Sequence, residues 1–171
     1  MRQEQQAKKQ LSEVEVLHRM AAHCSKSEHC ISDIQKKISA GGLPDEANKR
    51  IIDYLLKEKF IDETRFCKSF IHDKFHFNKW GRIKIDYELK KRNISFSIYA
   101  DLFDSIDENE YQNTLFSLLK QKKKTTKAKD NQDLFNKLLR FAAGRGFESK
   151  EAVSCIRKLV GTHTNHDEYL D

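Results

Sequence analysis

Apolar residues recur at three- and four-residue intervals along most of the chain, the spacing that gathers them on one face of a helix. Val14, Leu17, Met20, Ala21 and Cys24 make the first stripe. Ser12-Glu13-Val14-Glu15 ahead of it reads as a capping box, with serine as N-cap and glutamate three residues on. Ser32-Asp33-Ile34-Gln35 predicts a second capping box before the buried pair Ile34 and Ile38, and Gly41-Gly42 ends that helix. Pro44 is expected near the first turn of a third helix, where its missing N–H costs little, with Ala47, Ile51, Ile52, Leu55 and Leu56 inward. Asp62 starts a fourth helix carrying Phe66, Cys67, Phe70 and Ile71, and a fifth runs from about Gly81 with Ile85 and Leu89 inward. Ser95 caps a sixth (Ile98, Leu102, Phe103, Ile106), and Asp107 begins a seventh (Tyr111, Leu115, Leu118, Leu119). A mobile, lysine-rich connector is expected next. Leu134, Phe135, Leu138 and Ala142 mark an eighth helix, and Ala152, Val153, Ile156 and Leu159 a ninth.

Three of these helices end alike, in Gly41-Gly42-Leu43, Arg92-Asn93-Ile94 and Arg145-Gly146-Phe147. The second member tolerates the left-handed conformation of a helix C′ position, and the third is apolar, as a Schellman ending prefers. The spacings between the ends are 51 and 53 residues. Aligning on them superimposes Ile34, Ile85 and Leu138, then Ile38, Leu89 and Ala142, and after the turn Ile52, Phe103 and Ile156, then Leu55, Ile106 and Leu159. The expected fold is therefore all-α, with three tandem three-helix repeats over 11–60, 61–106 and 107–161 in an elongated, curved array. Residues 1–10 and 162–171 read as flexible tails. Gly42, Asn93 and Gly146 are expected at positive φ, with Gly146→Ala costing about 1 kcal/mol.

Composition agrees with helices: one proline and six glycines among 171 residues leave too few turn formers for a β-sandwich or barrel. The net charge of +6 is evenly spread: residues 1–60, 61–106 and 107–171 each carry +2. That suits contact with nucleic acid or an acidic protein surface without establishing either. No apolar run approaches a membrane span, and no signal-peptide core opens the chain, so a cytoplasmic protein is expected. Cys24, Cys30, Cys67 and Cys155 form no CxxC pair and read as reduced, buried thiols. His18, His23-Cys24 and His29-Cys30 match no zinc spacing, so neither metal nor cofactor is expected. No nucleophile–base pair or phosphate-cradling glycine loop stands out, which argues against an enzyme.

The stretch from Ile51 to Phe66, ending Lys59-Phe60-Ile61-Asp62-Glu63-Thr64-Arg65-Phe66, resembles the signature of the RecX family, modulators of the RecA recombinase. Gly81 to Ile85 followed by Glu88-Leu89-Lys90-Lys91-Arg92-Asn93-Ile94 is similar to the family's second block. Leu138-Leu139-Arg140-Phe141 through Gly146-Phe147 is similar to the third. Arg82 stands where the family usually has proline, Asn93 where it has glycine, and Lys74 near a common arginine. The resemblance implies tandem three-helix repeats and a non-enzymatic monomer. It also implies binding in the groove of the RecA filament on single-stranded DNA, with restraint of its ATPase and strand exchange. Contact with double-stranded DNA is a further expectation.

The candidate contact residues follow from charge and aromatic content. Arg65 reads first as the partner of a nearby carboxylate and second as a contact residue. Lys74, Lys79, Arg82, Lys84, Lys90, Lys91 and Arg92 put basic groups beside the flat aromatic Trp80 and Tyr87 around the fifth helix, with Arg82 and Lys90 expected toward solvent. Lys122, Lys123 and Lys124 belong to a run of six lysines between positions 120 and 129, suited to phosphates or to simple solvation. The competing readings are a sequence-nonspecific DNA-binding helical protein acting without the recombinase, and a scaffold for another acidic protein.

Overall fold

The computed structural model describes residues 11–161, and the two expected tails lie outside the described residues. Within these there are nine helices and no strand. They are α1 (Glu13–Cys24), α2 (Ile31–Ser39), α3 (Asp45–Lys57), α4 (Glu63–His76), α5 (Arg82–Lys90), α6 (Phe96–Asp104), α7 (Glu108–Thr125), α8 (Asn131–Arg145) and α9 (Ser149–Val160). They form three successive triplets, and three of the four sets of positions that superimpose in the sequence are buried alike; in the fourth, Leu55 is wholly buried while Ile106 and Leu159 are only half-buried. Ile34, Ile85 and Leu138 are wholly enclosed, as are Leu89 and Ala142, and Ile38 nearly so. Ile52, Phe103 and Ile156 are buried beyond the turn. The turns have the predicted hand, with φ of 75° at Gly42, 60° at Asn93 and 83° at Gly146. At Gly146 the ending is a full Schellman motif: its N–H donates to the Ala143 carbonyl and that of Phe147 to the Ala142 carbonyl, 2.9 and 3.1 Å.

Packing divides the described residues into two compact units. One takes the chain up to Phe70 together with Lys90–Tyr99, and the other takes Ile71–Leu89 and the chain from Ala100 onward. The middle triplet thus contributes to both. In the first unit Val16, Cys24, Ile34, Ile38, Ile51, Ile52, Leu55 and Ile61 form the core. In the second, Phe75, Tyr111, Leu115, Leu119, Phe147 and Ile156 are among the buried set.

Side-chain caps mark the starts of α1, α7 and α8. Ser12 and Glu15 make the reciprocal capping box, at 3.3 Å from the Glu15 N–H to Ser12 Oγ and 2.8 Å from the Ser12 N–H to Glu15 Oε2. Asp107 and Asp130 accept from the N–H groups of Glu110 and Asp133.

Three expectations are corrected. The second capping box does not form: α2 starts at Ile31, Cys30 holds the N-cap position without a side-chain bond, and Ser32 lies buried with its hydroxyl 3.4 Å from Cys30 Sγ. Ile31 packs on the core, and that contact extends the helix past the serine. In α6 the wholly buried side chain is Tyr99, while Ile98 is only half-buried. The lysine-rich connector is mostly helix, because α7 runs to Thr125. Lysine is a good helix former and suits the negative end of the helix dipole. Lys123 Nζ donates to the Leu159 carbonyl at 2.6 Å, and the Thr125 and Thr126 hydroxyls bond back to the Lys122 carbonyl.

All four cysteines are free and buried. Burial, then the nearby charges of Glu63 and Cys30, pushes the Cys67 thiol up to about 12. A disulfide reagent that attacks thiolates is therefore expected to leave all four thiols of the folded protein nearly inert and to titrate four after unfolding. Rapid reaction of the folded protein would contradict this packing.

His23 and His29 stack with centroids 4.1 Å apart. Burial first, then repulsion from His29, Lys37 and Lys26, lowers the His23 pKa from 6.5. A histidine depressed in the folded state contributes stability that is present above pH 6.5 and is lost as pH falls through the folded value. Replacing His23 with Asn is expected to flatten the acid side of the stability–pH curve in that window; an unchanged curve would remove His23 as its cause.

Candidate partner-binding face

The Lys59-to-Phe66 stretch builds a joint between α3 and α4. Asp62 caps α4, its Oδ1 accepting from the N–H groups of Thr64 and Arg65 at 3.0 Å each. Ile61 and Phe66 are buried. Arg65 donates through Nε to Glu28 Oε1 and through Nη2 to the Lys59 carbonyl, both at 2.9 Å. Lys59 itself has φ of 60°, so the arginine clamps a left-handed turn. Its structural reading accounts for these contacts.

The start of α5 is held by the end of α8. The Gly81 N–H donates to the Arg145 carbonyl at 2.8 Å and the Ile83 N–H to the Gly146 carbonyl at 3.0 Å. The Arg82 N–H donates to the Tyr111 hydroxyl at 3.0 Å, and that hydroxyl donates to Glu148 Oε2 at 2.6 Å. These contacts satisfy N–H groups that a helix start leaves without intrahelical partners. Burial, and next the bond to Glu148, drives the Tyr111 pKa far upward, so the phenol stays protonated. Arg82 corrects the expectation of a solvent-facing side chain. It is 24% exposed, its guanidinium lies 4.1 Å from the Tyr111 ring centroid, and it pairs with Glu108 at 2.9 Å and Glu148 at 4.0 Å.

With its start anchored, α5 presents apolar residues on two faces. Ile85 and Leu89 are wholly buried, whereas Ile83 is 54% and Tyr87 62% exposed. Ile83 and Tyr87, four residues apart, share a side of the helix. The Lys84 and Lys74 ammonium groups lie 4.6 and 5.1 Å from the Trp80 ring centroid, and Lys84 Nζ is 3.4 Å from the Gly144 carbonyl. Lys74, Trp80 and Lys84 are thus brought together, and Lys84 is next in sequence to Ile83. Sequence reasoning named Tyr87 only as an aromatic neighbour and passed over Ile83. Ile83 lies outside the Ile85–Leu89 stripe, and nothing in the sequence sets it apart.

Lys79, at φ of 55°, borders an open cleft of 540 Å³ along α7 with Glu110, Asn113 and Ser117. Lys90 Nζ lies 5.8 Å from the Phe96 ring centroid, Lys91 is exposed, and Arg92 lies over Phe70 and 3.7 Å from Asp33. Lys122 lies over the Phe141 ring, Lys123 is tied to Leu159, and Lys124 is exposed at the end of α7. Among the described residues, no group of three or more His, Cys, Asp or Glu side chains is placed to hold a metal, and no helix is long and apolar enough to cross a membrane.

Residues 62–100 match the family model for the second three-helix domain of RecX. The chain is 31% identical over 140 residues to the regulatory protein RecX of Clostridium botulinum (strain Alaska E43 / Type E3), covering 80% of this chain and 62% of that protein. It is 29% identical over 129 residues to that of Clostridium tetani (strain Massachusetts / E88), covering 74% and 59%. The chain thus spans about three fifths of the length of these curated relatives. Among solved structures, RecX from Lactobacillus salivarius superimposes with a TM-score of 0.73 at 14% identity, over 86% of this chain and 96% of that one. A second crystal structure, of a regulatory protein RecX, gives 0.75 at 18%, over 86% and 72%. The fold is therefore shared, and with the matched middle repeat and the curated relatives it places this chain in the RecX family of regulatory proteins.

Proposed function

We propose that this chain binds the RecA filament on single-stranded DNA in the cytoplasm and restrains its ATPase and recombinase activity by occupancy rather than catalysis. The observation that carries the reading is the outer side of α5: Ile83 and Tyr87 are exposed on a helix whose inner side is already filled and whose Lys84 meets Lys74 at the Trp80 ring. An exposed apolar pair on a helix that also carries basic residues suits an acidic protein surface with an apolar patch, and aromatic residues are favoured anchors in such contacts. A filament repeats its surface along its length, so tandem repeats on one chain meet several subunits and gain from effective concentration. Lys122 and Lys124 on α7 support the filament's DNA strand as a secondary contact.

Anisotropy of labelled single-stranded DNA, bare and coated with the cognate recombinase, tests the reading. Binding is expected to be much tighter to the coated strand. Replacing Ile83 and Tyr87 together with Ser is expected to weaken that binding at least tenfold, about 1.4 kcal/mol. Equal affinity for bare and coated DNA, falling steeply with salt, would instead favour a sequence-nonspecific DNA-binding protein.

A further inference from the structure

α4 carries two histidines that the reading above does not use. His72 and His76 are four residues apart and so share a side of the helix. Their ring centroids are 4.5 Å apart, with planes inclined at 43°. Each ring meets a carboxylate through Nδ1: His72 at 3.2 Å from Asp73 Oδ1, and His76 at 3.1 Å from Glu110 Oε1. A carboxylate on Nδ1 holds the ring proton there and leaves the Nε2 lone pair bare. Metal-ligating histidines ordinarily carry this arrangement, a carboxylate orienting the ring from behind. Glu110 comes from α7, so tertiary packing supplies the carboxylate behind His76. His72 is well exposed and His76 partly so, which leaves the pair open to solvent ions.

Among the described residues, the stacked pair His23 and His29 lacks these features. His23 and His29 lie nearly face to face, at 22° between planes, and His29 Nε2 is 3.0 Å from the Ser27 hydroxyl.

We propose that His72 and His76 form an open two-imidazole site for a divalent transition-metal ion of the zinc, copper or nickel class. The ion is ligated by the two Nε2 atoms, with water in the remaining positions. Imidazole nitrogen selects these ions over magnesium and calcium, which take oxygen ligands. No third His, Cys, Asp or Glu among the described residues joins the pair. The site is accordingly an exchangeable one, unlike the closed four-ligand sites that hold a fold together.

The test is zinc chloride titrated into the full chain, followed by calorimetry and by long-range ¹H–¹⁵N spectra of the histidine rings. The His72 and His76 signals are expected to move together and saturate at one ion, and magnesium chloride is expected to move neither. His72→Asn, at an exposed position that leaves the fold unchanged by circular dichroism, should weaken the site at least tenfold. Glu110→Gln, which keeps both ligands, should weaken it by about tenfold through loss of ring orientation. Zinc that shifts only other histidines, or binds His72→Asn as it binds the parent, would overturn the proposal.

Discussion

Gly81→Ala is expected to destabilise the protein by about 3 kcal/mol, a large effect for one methyl group. A Cβ at Gly81 would overlap the Gly146 carbonyl and the Phe147 nitrogen. Those atoms are backbone and cannot rotate away, so α5 must move off the end of α8. That movement breaks the bonds from the Gly81 and Ile83 N–H groups to the Arg145 and Gly146 carbonyls. Gly146→Ala meets the same joint from the other side. Positive φ alone sets a cost of about 1 kcal/mol, but the added Cβ would also overlap Cβ and N of Lys84, raising the total to about 3 kcal/mol. Gly144→Ala is the control. It lies inside α8 with nothing within 4 Å of its added Cβ, so alanine there is expected to stabilise by up to about 1 kcal/mol. Urea unfolding followed by circular dichroism ranks the three; a loss under about 1 kcal/mol at Gly81 would contradict the joint as described.

Tyr111→Phe is expected to cost about 2 to 3 kcal/mol. The hydroxyl it removes is at once the acceptor for the Arg82 N–H and the donor to Glu148, in surroundings that are largely buried. Phenylalanine preserves the ring, including its contacts with Phe75 at 5.6 Å and Phe147 at 5.1 Å, and leaves the polar partners unmatched. Hydrogen exchange adds a local readout: the Arg82 amide should lose protection more than the α9 amides do. Uniform loss across the unit, or none, would assign Tyr111 a packing role alone.

Helix faces and helix ends were legible because each is written locally. A period of three to four residues needs no distant partner, and Gly or Asn at a left-handed position announces itself within one turn. The features that escaped depend on residues far apart in the chain. Arg82 reads as a solvent-facing cation until Tyr111 and Glu148 are brought against it from α7 and the start of α9. Lys59 adopts positive φ with no glycine to mark it, because Arg65 reaches back to its carbonyl. The run Lys120 to Lys124 reads as a solvated connector by charge, yet lysine's helix propensity and the anchoring of Lys123 on α9 carry α7 through it. Of the candidate contact face, the basic and aromatic residues were visible in the sequence. The exposed Ile83 was not, since one apolar residue outside a stripe carries no signal until its burial is known.

Under the proposed function, the outer side of α5 makes this chain a regulator of a recombinase filament. The most direct measurement is the single-stranded-DNA-dependent ATPase of the cognate RecA, titrated with the parent chain and with the Ile83→Ser, Tyr87→Ser double variant. Both substituted side chains are exposed, so the variant should keep its helical circular dichroism and unfold within about 0.5 kcal/mol per substitution of the parent. The parent is expected to suppress ATP hydrolysis, and the variant to need at least about ten times the concentration to do so, a loss of about 1.4 kcal/mol. A folded variant that suppresses hydrolysis as well as the parent would contradict the assignment of the surface, and a parent that never suppresses it would contradict the proposed function itself.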